Sequence, residues 1–98
     1  MKKYEEILDS TVPTLVVFEH AGKHNSVDVK YLMQELGVKY EDKLQLKRID
    51  CSYNGKWKAR YGFKDYPTWI LFKEGQELMR ESGEKSIAKL EEMVGRAL

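Results

Sequence analysis

The sequence predicts an α/β domain in which helices flank a mixed four-stranded sheet, in the order α-β-α-β-α-β-β-α. Thr14–Phe18 is apolar without alternation, which is typical of a strand buried on both faces. A helix-length segment follows it before the next strand, and this favours a right-handed crossover between parallel strands. Thr68–Phe72 reads as a second buried strand, and the Glu74-Gly75 pair after it predicts a tight antiparallel hairpin with a positive φ at the glycine.

The amino-terminal half contributes two helices and two strands. The spacing of apolar residues predicts a short helix over Lys3–Leu8, which ends before Pro13. Asn25 is suited to cap the second helix, and Gly37 weakens or ends it. Leu44–Asp50 is the next strand. Four residues form the apolar stripe of the second helix: Val29, Leu32, Met33 and Leu36.

The carboxy-terminal half contains two helices and a hairpin. A short helix is predicted over Asn54–Tyr61. Pro67 cannot donate a hydrogen bond to a sheet, so it belongs immediately before the strand rather than inside it. Gln76–Arg80 forms the second arm of the hairpin, Gly83 closes it, and Ser86 can cap the last helix. Four residues form the stripe of that helix: Ile87, Leu90, Val94 and Ala97.

Composition indicates one soluble globular domain spanning residues 1–98. The chain is 42% hydrophobic and 34% charged, and its net charge of +1 gives no general reason to expect nucleic acid or an anionic membrane as partner. No apolar run approaches the roughly 18 residues that span a bilayer. Lys2 and Lys3 are not followed by an apolar stretch, so we expect no signal peptide and a cytoplasmic location.

Cys51 is the only cysteine of the chain, which excludes an intramolecular disulfide and a zinc site with several thiolates. We expect it to be a buried, inert side chain, and the alternative is a single reactive thiol.

His20 and His24 are four residues apart and could share a metal ion with Cys51 or Asp50. The favoured interpretation is two solvated loop histidines, with no metal and no cofactor.

The segment from Tyr61 to Gly75 reads Tyr-Gly-x-x-x-Tyr-Pro-Thr, then an apolar strand, then Phe-Lys-x-Gly. It resembles the second half of a thioredoxin domain, and its Tyr-Pro-Thr form is most similar to domains of the protein disulfide isomerase type. The resemblance extends from about Lys2 to Leu98 and implies a thioredoxin-like fold. It also implies that Pro67 is cis and faces the active-site loop. The extra amino-terminal strand of full-length thioredoxins has no counterpart in the predicted order.

The cysteines of the family motif Trp-x-x-Trp-Cys-Gly-Pro-Cys are absent from the loop where the resemblance places them. With Phe18 aligned on the family's phenylalanine, the two positions hold Lys23 and Ser26, and a shift of one residue finds no cysteine either. The first tryptophan is replaced by Glu19, and the family's buried aspartate by Val17. Thiol–disulfide exchange needs a low-pKa thiolate and a second, resolving thiol, so we expect no dithiol oxidoreductase activity.

In the resembled family, the backbone of the residue before the cis-proline pairs with an extended substrate peptide. The leading hypothesis is therefore a redox-inactive domain that binds an extended segment of a partner protein. Lys23 and His24 at the helix N-terminus would favour an acidic group or a terminal carboxylate. The expected surface consists of two segments: the loop residues Gly22, Lys23, His24, Asn25 and Ser26, and the strand-entry residues Tyr66, Pro67 and Thr68.

Three alternatives remain open on the sequence. Pro67 could persist only because the turn is built around it, without any peptide site. The chain could be a monothiol redox protein that acts through Cys51. It could also be a structural subunit of a larger assembly, which a contiguous apolar patch would favour. Neither the identity of a partner nor the oligomeric state follows from the residues.

Overall fold

The computed structural model describes residues 11–98, so the helix predicted at Lys3–Leu8 lies outside the described residues. The described part follows the predicted order from the first strand onward. A 3₁₀ turn, Glu41–Lys43, separates the first described helix from the second strand. The helices and strands are β1 Thr14–Glu19, α1 Ser26–Tyr40, β2 Gln45–Asp50, α2 Lys56–Tyr61, β3 Thr68–Lys73, β4 Gln76–Ser82 and α3 Ile87–Gly95.

The four strands form one mixed sheet in the order β2-β1-β3-β4. β1 runs parallel to β2, and Glu19 is paired with Asp50. β1 runs antiparallel to β3, and Phe18 is paired with Thr68. The carboxyl end of β1 therefore lies beside the carboxyl end of β2 and the beginning of β3. This register brings the loop after β1 and the residues before β3 to the same edge of the sheet.

Every residue of β1 is buried, because each face of the sheet is covered by helices. The core on the face of α1 and α3 contains Leu15 and Val17 of β1 together with Trp69 of β3. Alternation along the strands sends Phe18 and Ile70 to the opposite face, where α2 packs. The lack of alternation that predicted a doubly buried strand is thus explained by two separate cores.

Two of the predicted helix caps are confirmed by hydrogen bonds. The side chain of Asn25 accepts from the N–H groups of Val27 and Asp28 at 3.1 and 3.2 Å. The hydroxyl of Ser86 accepts from the N–H of Lys89 at 3.2 Å. Each cap satisfies donors that the first turn of a helix leaves without partners.

Gly37 does not end α1, which continues to Tyr40. A Cβ on Gly37 would lie 3.5 Å from Cδ1 of Leu46, an ordinary van der Waals contact, so the packing of α1 against β2 accommodates this glycine without requiring it. Tyr40 packs against the core and stabilises the last turn.

The second described helix, α2, begins two residues later than predicted, because the side chain of Asn54 accepts a hydrogen bond from the N–H of Lys56 at 2.7 Å.

The hairpin turn differs from the prediction in one respect. Both Glu74 and Gly75 have positive φ, 53° and 78°, whereas only the glycine was expected to. Two consecutive left-handed residues match the twist of a two-residue hairpin, and asparagine is preferred at the first of these positions. A glutamate there is conformationally unfavourable.

We therefore expect Glu74→Asn to raise the free energy of unfolding by about 0.5 to 1 kcal/mol. Urea denaturation followed by tryptophan fluorescence measures this change. The matched control is Glu84→Asn, which makes the same substitution at an exposed residue without a positive φ. An equal gain from both variants, or a loss from Glu74→Asn, would contradict the turn geometry.

Candidate functional site

The loop that follows β1 is a β-turn anchored to the next loop of the same sheet edge. The N–H of Lys23 donates to the carbonyl of His20 at 3.0 Å, and Gly22 has a φ of 79°, which the third residue of such a turn requires. The N–H of Ala21 donates to the hydroxyl of Ser52 at 2.8 Å. The turn thus presents Ala21, Gly22 and Lys23 to solvent.

The side chain of His24 is folded beneath this turn. It is 1% exposed, and its Nε2 accepts a hydrogen bond from the N–H of His20 at 3.3 Å. Nε2 also lies 3.7 Å from a carboxylate oxygen of Glu19. Among the described residues, Nδ1 has no hydrogen-bond partner. The expectation of two solvated histidines is therefore wrong for His24, because the turn that closes over it removes its ring from water.

Glu19, which stands where the family has a tryptophan, forms a partly buried ion pair with Arg48. Arg48 donates to both of its carboxylate oxygens, at 2.6 and 2.8 Å, and this bidentate contact raises the pKa of the guanidinium. Arg48 also donates to the carbonyl of Ser26 at 3.3 Å. The pair therefore connects β1 and β2 to the first residue of α1.

Sequence reasoning missed this ion pair, although a signal was present. An acidic residue that ends a buried strand needs a partner, and the parallel neighbouring strand contains Arg48 two residues before its end. Side chains two apart lie on one face of a strand. Leu15 faces the core under α1. Glu19 lies four residues further along β1 and therefore faces the same side of the sheet.

The start of α1 offers fewer anion-binding groups than the sequence suggested. Asn25 already occupies the N–H groups of Val27 and Asp28. Asp28 adds a carboxylate to the first turn. Of the two side chains expected to attract an acidic group, Lys23 is exposed and the ring of His24 is buried. The helix dipole and Lys23 remain, whereas the amide donors and His24 are engaged within the chain.

Tyr66, Pro67 and Thr68, at the beginning of β3, form a fixed surface beside the loop, which we call the wall. The Tyr66–Pro67 peptide bond is cis, and the carbonyl of Pro67 accepts from the N–H of Gly83 at 2.8 Å. The hydroxyl of Thr68 donates to the carbonyl of Asp65. Within residues 11–98, the main chain of Tyr66 is not engaged in a hydrogen bond.

The ring of Tyr66 contacts the loop after β1 at His20, two residues before the predicted segment Gly22–Ser26 begins. Its centroid lies 5.2 Å from that of His20 in the loop and 5.6 Å from that of Phe63. Phe63 is a core residue, and Tyr66 is half-buried against the same core. The structure thus places the loop and the proline side by side, as the sequence analysis expected, with Tyr66 between them.

Cys51 lies behind this wall rather than in the open loop. It is 3% exposed, and its N–H donates to the carbonyl of Glu19 at 2.7 Å. Burial raises the pKa of its thiol, and a hydrogen bond with the hydroxyl of Tyr66 offsets part of that effect. Burial likewise raises the pKa of Tyr66. A reactive thiol needs exposure and a lowered pKa, so this environment argues against redox chemistry at Cys51.

Two further positions beside the loop bear on its chemistry, Val17 and Asp50. Val17 is fully buried in the apolar core at the position where the resemblance expected an aspartate. Asp50 accepts hydrogen bonds from the hydroxyl and the N–H of Ser52, which lower the pKa of its carboxyl. In the described part of the chain, no group of three or more potential metal ligands is close enough to hold an ion.

The fold and the cis-proline wall define a protein of the thioredoxin-like class. The family model described as Thioredoxin matches residues 27–96, and the chain belongs to the thioredoxin family. Over 74 residues it is 31% identical to Thioredoxin 1 of Nostoc sp., an alignment that covers 76% of this chain and 69% of that protein. It is 33% identical over 90 residues to the chloroplastic Thioredoxin X of Arabidopsis thaliana, covering 90% of this chain and 50% of that one.

Solved structures support the same fold. The X-ray structure of Fasciola hepatica thioredoxin superposes with a TM-score of 0.84 at 21% identity, covering 97% of this chain and 91% of that one. No helix within residues 11–98 combines the length and apolar character that crossing a bilayer would require.

We expect Cys51 in the folded protein to react with iodoacetamide at less than about one tenth of its rate in the urea-unfolded chain near pH 8. The raised pKa leaves less thiolate, and burial restricts access to the sulfur. Mass spectrometry of timed samples between neutral and alkaline pH gives both rates. A folded-state rate at neutral pH that equals or exceeds the unfolded rate would show a reactive thiol.

Proposed function

We propose that this thioredoxin-family domain is redox-inactive and binds an extended segment of a partner protein. The binding surface consists of the loop Gly22–Ser26 and the wall Tyr66–Thr68. The observation that carries the proposal is the main chain of Tyr66, which has no hydrogen bond within the described residues and stands beside an exposed loop. An extended peptide can pair with such a backbone by adding a short strand.

The chemistry of the loop supports binding rather than catalysis. The relatives carry the name thioredoxin, but disulfide exchange needs two thiols, and this chain has one. Lys23 and Ser26 occupy the aligned cysteine positions, and Cys51 is buried with a raised pKa. Because a peptide would be held by backbone groups, the loss of the cysteines leaves that mode of binding available. A single buried thiol also suits a reducing compartment such as the cytoplasm.

The geometry of the loop supports the proposal in a second way. The β-turn, the ring of His24 and the Glu19–Arg48 pair hold the loop through contacts within the chain. A surface that is ordered before binding loses less conformational entropy when its partner arrives. The loop therefore needs neither a disulfide nor a metal to keep its shape.

The proposal is tested with a display library of randomised peptides of about ten residues, long enough to cross the surface in extended form. Recovered peptides are titrated into the ¹⁵N-labelled protein. We expect the largest amide shifts at Gly22–Ser26, Tyr66 and Thr68. Tyr66→Ala removes the aromatic ring while retaining the backbone. We expect it to weaken binding by about five- to tenfold, since an aromatic ring contributes strongly to such contacts.

Tyr31→Ala is the matched control, because Tyr31 is an exposed tyrosine on α1. We expect it to leave the affinity unchanged. Circular dichroism of each variant establishes that it is folded. The proposal fails if the library yields no binder, or if the amide shifts cluster around Tyr31 on α1 instead of around the loop.

A further inference from the structure

The segment around α2 has a charge pattern that the net charge of the chain conceals. Residues 52–64 contain no acidic residue, although the whole chain has nearly equal numbers of acidic and basic side chains. The segment presents four exposed cationic residues to solvent: Lys56, Lys58, Arg60 and Lys64. A locally basic surface of this kind attracts acidic groups independently of the overall charge.

Within residues 11–98, three of these cations have no carboxylate partner of the kind that is common elsewhere on the surface. On other surfaces, described ion pairs include Lys39 with Glu91, at 3.0 Å, and Arg80 with Glu77, at 2.7 Å. Among residues 11–98, none of the ion pairs involves the exposed lysines of this segment. We call these three residues, two on α2 and one in the loop that follows it, the basic face of α2: Lys56, Lys58 and Lys64.

Aromatic rings position part of the basic face next to the proposed peptide surface. The ammonium of Lys56 lies 4.9 Å from the centroid of Trp57, and that of Lys58 lies 5.9 Å from the centroid of Tyr66. Cation–π attraction favours these positions over free rotation in solvent. Because Tyr66 forms the wall of the surface, Lys58 stands directly beside the site where a bound segment would run.

We propose that the partner segment carries acidic side chains that contact the basic face of α2 while its backbone lies along Tyr66. This inference rests on the proposed function and deepens it by specifying the chemistry of the partner. The sequence had assigned recognition of an acidic group to the start of α1. The structure favours α2 instead, because His24 is buried and Asn25 occupies the first amides of α1.

The distribution of carboxylates favours an acidic peptide over a nucleic acid. A small cavity between Asn25 and Pro67, at the proposed peptide surface, is lined by Asp28 and Glu84 together with Lys85. Asp65 is exposed next to Tyr66. A continuous phosphate backbone crossing this surface would meet those carboxylates, whereas a peptide can place its acidic residues toward α2 alone. The net charge of +1 also provides little attraction for a polyanion.

The test uses the peptides that the randomised library yields against the wild-type protein. We expect the recovered peptides to be enriched in aspartate and glutamate. These acidic residues should stand at a constant distance along the peptide from the part whose binding shifts the Tyr66 amide. The triple variant Lys56→Gln, Lys58→Gln, Lys64→Gln should weaken binding of an acidic peptide by about tenfold at low salt, and by less at about 0.5 M salt, because screening shortens the range of charge attraction. A version of the peptide with glutamine and asparagine in place of its acids should bind both proteins equally.

The matched control removes three other exposed lysines by the changes Lys30→Gln, Lys43→Gln and Lys47→Gln. It changes the net charge equally, and we expect it to retain the affinity of the wild type. Binders without acidic enrichment, or with equal affinity for both triple variants, overturn this inference and leave the proposed function standing. A library without binders overturns both. Tighter binding of single-stranded poly(U) RNA than of the acidic peptides, lost in the first triple variant, would assign the basic face to nucleic acid instead.

Discussion

The constraint on which the site depends is the position of β1 between β2 and β3. Its parallel pairing with one neighbour and antiparallel pairing with the other bring three chain segments to one edge of the sheet. Those segments are the loop after β1, the residues around Ser52, and the Tyr66–Pro67 wall. Because β1 is buried on both faces, this arrangement cannot change without disrupting both cores.

At that edge, polar contacts within the chain hold the loop where the family pattern has cysteines. The ion pair between Glu19 and Arg48 reaches the carbonyl of Ser26, and the ring of His24 supports the turn from below. Asn25 satisfies the first amides of α1. These interactions give the loop a defined shape but no nucleophile. Together with the open backbone of Tyr66, they are the basis on which we propose that this surface recognises a peptide.

Much of the fold could be predicted from the sequence, because apolar periodicity, Pro67 and the Glu74-Gly75 turn each act locally. The adjacency of the loop and the wall also followed, through the family resemblance. The burial of His24 and its contact with Glu19 did not, because they depend on how the turn closes in three dimensions. Nor did the continuation of α1 through Gly37, since it depends on how Leu36 and Tyr40 pack against the core on either side of that residue.

We propose that this thioredoxin-family surface operates without dithiol chemistry. The most direct measurement is the rate at which the protein accelerates reduction of insulin disulfides by dithiothreitol, followed as turbidity. The wild type and Cys51→Ser should both match the rate without protein, and a double variant with Lys23→Cys and Ser26→Cys should exceed it, since two thiols then stand at the aligned positions. Acceleration by the wild type that disappears in Cys51→Ser would contradict the account and make Cys51 the reactive group.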